Sequence, residues 1–197
     1  AVDTYKAEVA RQAICEGASL INDVTALRGD PQMSRVLAES QVKVVLMHML
    51  GNPRTMQKNP VYKDVVRDII SFLRERIDYA ELCGISRDRV IIDPGIGFGK
   101  LLSHNLRILK DLHMFKSLGC PIMVGTSRKS FIGAVTGRPI EEREFGTCVA
   151  NVFALLGGAT YLRVHNVKAA RDTVRLFKAI LQAGEARDAL SIHGRIA

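Results

Sequence analysis

Short apolar runs rich in β-branched residues recur along this chain, and almost every one stops on a polar side chain. Residues 18–24 (ASLINDV), 42–48 (VKVVLMH), 90–93 (VIID), 121–125 (PIMVG) and 160–165 (TYLRVH) have strand character. Val2-Asp3 reads as the end of one more strand. Between them the apolar period lengthens to that of helices, over 4–17, 31–40, 62–83, 103–117, 141–156 and 167–183. Strands alternating with helices imply a parallel sheet with helical crossovers. Two architectures meet that pattern, an open doubly wound sheet and a closed βα barrel. An open sheet gathers its ligand groups at one switch point, whereas a barrel uses the C-terminal ends of all its strands. Here the strand ends carry Asp3, Asn22, His48, Asp93, Ser127 and His165, which favours a TIM (β/α)8-type barrel. A whole barrel takes eight βα units in about 250 residues. Only the last five to six units can be counted, so the expectation is a barrel truncated at its N-terminus by roughly 60 to 90 residues. The barrel domain is expected over 1–183, with a C-terminal tail over 184–197.

The 197 residues are 47% hydrophobic and 24% charged, ordinary values for a globular protein. The net charge is +8, but the basic residues are scattered and few aromatics accompany them. That argues against nucleic acid or a membrane surface and for a small anionic substrate, such as a phosphate ester. Cys15, Cys83, Cys120 and Cys148 are widely spaced, with no CxxC pattern. They read as reduced thiols in a cytoplasmic protein.

The most informative stretch is Ile91-Ile92-Asp93-Pro94-Gly95-Ile96-Gly97-Phe98-Gly99-Lys100. An Asp at the end of a hydrophobic strand faces a cavity, and the Pro and Gly residues let the backbone turn close to a ligand. The glycine spacing fits neither the dinucleotide pattern nor the P-loop. It leaves Phe98 free to stack on a flat ligand held by Asp93. Asp3, Asn22 and Asp93 together offer acceptors suited to an amidine-like edge, an exocyclic amino group beside a ring N–H. Helix capping is the competing role for either carboxylate. Ser127-Arg128-Lys129-Ser130 opens a helix after a strand and suits an electron-rich group; a Schiff-base lysine is the other role open to Lys129, though no sequence feature supports that chemistry specifically. Arg163 and His165 lie two apart on a strand, share a face and suit a pyrophosphate clamp. His48 stands evenly between a structural and a functional role.

Taken together, VDTYK at 2–6, IND at 21–23, the LMHM and GNPRTMQ stretches within 46–57, DPGIGFGK at 93–100, GTSRKSFIG at 125–133 and RVHNVK at 163–168 resemble the dihydropteroate synthase family of pterin-binding enzymes, in the same order along nearly the whole chain. The resemblance implies condensation of 6-hydroxymethyl-7,8-dihydropterin pyrophosphate with 4-aminobenzoate in folate biosynthesis, with sulfonamides as inhibitors of such enzymes. It implies that Asp3, Asn22, Asp93, Phe98, Gly125 and Lys129 hold the pterin. Arg163 and His165 would take the pyrophosphate, and Phe98, Lys129 and Ser130 the aminobenzoate. Lys129, Arg163 and His165 would be catalytic. It further implies Mg2+ as cofactor, with the metal ligand on a first strand that lies before Ala1, and a homodimer built through late barrel helices. Without that strand and the second loop, this stretch alone is expected to be inactive. Asn166 stands where the family commonly has Asp, and Ala1 where Ser is usual. Other readings are a non-catalytic pterin-binding fragment and a methyltransferase barrel using methyltetrahydrofolate; the latter has no need of Lys129-Ser130 or of the Arg163/His165 clamp.

Overall fold

A computed structural model describes residues 1–51, 56 and 60–183. The expected tail at 184–197 lies outside the described residues. Six strands, β1 (Val2–Asp3), β2 (Leu20–Asp23), β3 (Lys43–Met47), β4 (Val90–Asp93), β5 (Ile122–Val124) and β6 (Ala159–Leu162), alternate with seven α-helices. These are α1 (Ala7–Cys15), α2 (Met33–Ala38), α3 (Val65–Leu82), α4 (Leu102–Lys110), α5 (Ser130–Thr136), α6 (Glu144–Leu156) and α7 (Val167–Gln182). All strand pairs are parallel and the order is β1-β2-β3-β4-β5-β6. Each strand adds beside the one before it, with no reversal. That is barrel order, and it excludes the doubly wound alternative.

The sheet is also curled. Neighbouring strands sit about 4.8 Å apart, so flat packing would separate the first and last of six by roughly 24 Å. Yet Arg163, just past β6, forms an ion pair with Asp3 on β1. Lys43 Nζ on β3 likewise reaches Tyr161 Oη on β6 at 3.3 Å. Residues one apart face opposite ways. Ile21, Val44, Leu46, Val90, Ile92 and Val124 therefore join the large core under the helices. Val45, Ile91 and Met123 form a second cluster inside the curl, with Leu20 and Tyr161 against it. Two residues further along the strands, this inward face carries Asn22, Met47 and Asp93.

Several boundaries differ from the sequence reading. The strand expected over 160–165 ends at Leu162. The N–H of Arg163 still reaches Val124 O (2.9 Å), but His165 lies in the turn beyond, so the two do not share a strand face. The helix expected over 103–117 stops at Lys110, and a 3-10 segment covers Leu112–Leu118. Its buried residues, Leu112, Phe115 and Leu118, recur every third position, which is the 3-10 period and not the α period. Asp30 directly precedes the helix expected over 31–40. It does accept from Gln32 N (2.9 Å), and its other oxygen accepts from Ala7 N (2.8 Å), but the α-helix proper starts at Met33.

Candidate active site

Asp93 ends β4 and is 4% exposed. Its Oδ1 accepts from Gly95 N at 2.7 Å. The turn after it needs glycine: Gly95 has φ +69, and a Cβ there would meet His48 O at 1.9 Å. Asp3 does not cap α1, whose first turn is met by Thr4 Oγ1 accepting from Lys6 N and by Asp30. Instead Asp3 Oδ1 accepts from Asn22 Nδ2 at 2.8 Å. That leaves Asn22 Oδ1, which is buried and has no hydrogen-bond donor among the described residues. Its neighbour Asp23 is purely structural: fully buried, it accepts from Thr25 N, Thr25 Oγ1 and Leu27 N.

Lys129 enters from the β5–α5 turn. Arg128 before it sits in the left-handed region at φ +57, a conformation that costs a non-glycine residue about 1 kcal/mol. It is held there because Arg128 N donates to Thr147 Oγ1 (3.1 Å) and Arg143 Nη1 donates to Arg128 O (3.0 Å). The reversal turns Lys129 toward the β4 loop. Its ammonium donates to Ile96 O and stands 4.4 Å over the Phe98 ring. Ser130 begins α5 and is exposed. Gly125 lies opposite Arg163, 3.7 Å from a Cβ at that glycine to the Arg163 Cβ.

Arg163 and His165 are both exposed. Arg163 binds Asp3, whereas His165 lies on Ser127: its Nδ1 is 2.9 Å, and its backbone N 3.2 Å, from Ser127 Oγ. They sit at the same end of the sheet with different partners. Asn166 follows as the N-cap of α7, accepting from Ala169 N at 3.1 Å. Asn and Asp are equally good there, so the exchange is explained by capping.

Two buried groups escaped the sequence reading. The sequence does not single out Lys100, and it leaves His48 evenly between a structural and a functional role. Both are almost fully buried, with Lys100 Nζ 3.0 Å from His48 Nδ1. Burial governs the charge states here. It pushes the Asp93 carboxyl up from its usual range, against the opposing Gly95 N–H, Lys129, Lys100 and Arg163. It pushes Lys100 down to about 7 and Lys129 down to about 8, with Asp93 acting in the opposite sense on both. His48 falls to about 3, through burial first and then the Lys100 and Arg28 charges. The strand ends therefore present two buried acceptors, the Asp93 carboxyl on β4 and the orphan Asn22 oxygen on β2, with the Lys100 and Lys129 amines near Asp93. A flat ligand rich in N–H donors satisfies the acceptors, because a buried acceptor without a donor is costly.

The profile of the family described as "Pterin binding enzyme" matches residues 1–165. Dihydropteroate synthase of Haemophilus influenzae is 41% identical over 182 residues, which cover 92% of this chain and 66% of that protein. The solved structure of dihydropteroate synthase from Xanthomonas albilineans in complex with 7,8-dihydropteroate is 44% identical, with a TM-score of 0.85; 91% of this chain and 68% of that one are covered. The Yersinia pestis dihydropteroate synthase structure with a sulfonamide drug complex gives a TM-score of 0.90 at 37% identity, covering 92% of this chain and 66% of that one. The chain thus spans about two thirds of the length of these relatives.

Proposed function

The chain belongs to the pterin binding enzyme family, and from that we propose that it forms the pterin side of a dihydropteroate synthase. Such an enzyme joins 6-hydroxymethyl-7,8-dihydropterin pyrophosphate to 4-aminobenzoate. The observation that carries this reading is the acceptor pair of Asp93 and Asn22 at the strand ends, matched to the amino-pyrimidine edge of a pterin. Asp3 holds Asn22 in place through its amide.

In the reaction, the bond between the pterin methylene carbon and the pyrophosphate oxygen breaks, and the electron pair leaves with the oxygen. The amine nitrogen of 4-aminobenzoate gives its lone pair to that carbon and then loses a proton. Arg163 and His165 stand at the rim, where a departing pyrophosphate gathers charge. Lys129 and Phe98 form one wall, with an ammonium over an aromatic face, and Ser130 lies beside them. Gly125 lies at the end of β5, facing Arg163.

Mg2+ is proposed as the counterion of the pyrophosphate. Among the described residues no group of three His, Cys, Asp or Glu side chains could hold a metal ion. The described residues do not make a ligand set for it. A homodimer is proposed from the apolar outer faces of α6 and α7, where Val149, Phe153, Leu156, Leu176 and Ile180 are exposed. A cytoplasmic location is supported by four cysteines that are all free.

The complete protein, mixed with the pterin pyrophosphate, Mg2+ and labelled 4-aminobenzoate, is expected to release dihydropteroate. A folded protein that releases none refutes the assignment. Asp93→Asn is expected to weaken pterin binding at least about tenfold, because an amide cannot accept two parallel N–H bonds; calorimetric titration with the pterin alone reads this directly.

A further inference from the structure

We infer that Lys100 and His48 form an internal anchor that fixes the β4 loop, and through it the positions of Phe98 and Lys129, which makes Lys100 a positioning residue for the 4-aminobenzoate side. For its substrate this rests on the function proposed above; for the anchor itself it rests on geometry alone.

Lys100 Nζ donates to Phe98 O at 2.9 Å, lies 3.0 Å from His48 Nδ1 and reaches His48 O at 3.5 Å. A protonated Lys100 has three donors and these are three acceptors when His48 Nδ1 carries its lone pair, the tautomer with the ring proton on Nε2. The pair thus ties the end of β3 to the loop that follows β4. Three further bonds clamp the same loop. Tyr62 Oη donates to Gly99 O (2.8 Å), Gly97 N donates to Asn105 Oδ1 (2.7 Å), and Phe98 N donates to Gly95 O (3.0 Å). His48 is itself wedged against Phe72, edge to face at 4.9 Å, and tilted to Tyr62 at 5.9 Å.

An ammonium so deeply buried is an expensive packing element, and an apolar side chain of the same length would fill the space at lower cost. What the ammonium adds is direction, since it fixes one carbonyl of the loop. That carbonyl belongs to Phe98, and the neighbouring Ile96 O is where Lys129 binds. Moving the loop would shift the Lys129–Phe98 wall of the aminobenzoate side. Asn22 and Asp93 sit on strands and would stay.

Lys100→Met in the complete protein tests this. Hydrogen exchange at the Gly97 and Phe98 amides is expected to speed up about tenfold or more, while amides of β2 and β3 keep their rates. KM for 4-aminobenzoate is expected to rise about tenfold, and KM for the pterin pyrophosphate by clearly less, because the pterin loses the Phe98 and Lys129 contacts but keeps Asp93 and Asn22. Unchanged loop exchange, or an equal loss for both substrates with faster exchange throughout the sheet, overturns the anchor. If Lys100→Met does not fold, the decision passes to His48→Gln, which keeps an acceptor, against His48→Leu, which does not. Only the Leu variant should loosen the loop, and equal behaviour of the two refutes the idea. Should the parent protein make no dihydropteroate, the enzymatic reading falls, and the exchange rates still decide the anchor.

Discussion

His48 carries an imidazole whose pKa falls from 6.5 to about 3, and this has a consequence for acid stability. The unfolded chain takes up a proton near pH 6.5, whereas the folded chain refuses it until about 3. Stability from this residue is thus complete above 6.5 and is lost as the pH falls, by about 2 kcal/mol at about pH 5. The raised Asp93 carboxyl works in the opposite sense, contributing at low pH and losing its contribution as the pH rises. A comparison with His48→Gln isolates the histidine: urea unfolding of the variant is expected to weaken less between pH 7 and 5, by about 2 kcal/mol, and parallel losses would contradict it. At this scale the sequence was a partial guide. Asp93 and Asn22 were readable because a polar residue ends an apolar strand. Lys100 was not, because its role depends on a carbonyl two residues back and on a histidine from another strand. Nor could local spacing show that Arg163 turns to Asp3 while His165 turns to Ser127.

Among the elements, the loop after β4 is the most tightly specified. Gly95→Ala would place a Cβ 1.9 Å from a backbone oxygen at a positive φ, and neither the strand end nor His48 can give way. A loss on the order of 3 kcal/mol or more is expected. Gly137, with φ +71 and nothing within 4 Å, is the contrast: alanine there is expected to cost about 1 kcal/mol from conformation alone. Denaturant melts of the two variants would show the difference, and similar costs would mean that the loop yields. At this scale the alternation of strands and helices was legible in full. The ends of elements were not, since β6 stops when its pairing runs out at Arg163 and α4 stops where burial changes from the α to the 3-10 period.

For the molecule as a whole, polar strand ends already favoured a barrel over an open sheet, and the uninterrupted strand order agrees. The outer surface was harder to read. Helix α6 turns Ala150, Asn151 and Ala154 inward yet leaves Val149, Phe153 and Leu156 exposed, so it is apolar on both faces. A groove of about 470 Å³ runs between α6 and α7, lined by Val149, Val152, Leu176 and Phe177 among others. If a second copy covers this face, Phe153→Glu combined with Leu176→Glu is expected to halve the mass seen by light scattering while leaving the circular dichroism unchanged. A mass unaffected by both charges would refute an interface on this face.

Because every strand pairs with the one synthesised just before it, the sheet can be assembled in the order of translation. No finished pair has to reopen to admit a later strand, and each step closes only one helical crossover. The widest closure joins Val44 to Val90 and spans helix α3, whose first turn is capped by Asp64 through Val66 N and Arg67 N. Loop-closure entropy is therefore largest across that one helix, the same one whose Phe72 braces His48 beneath the site.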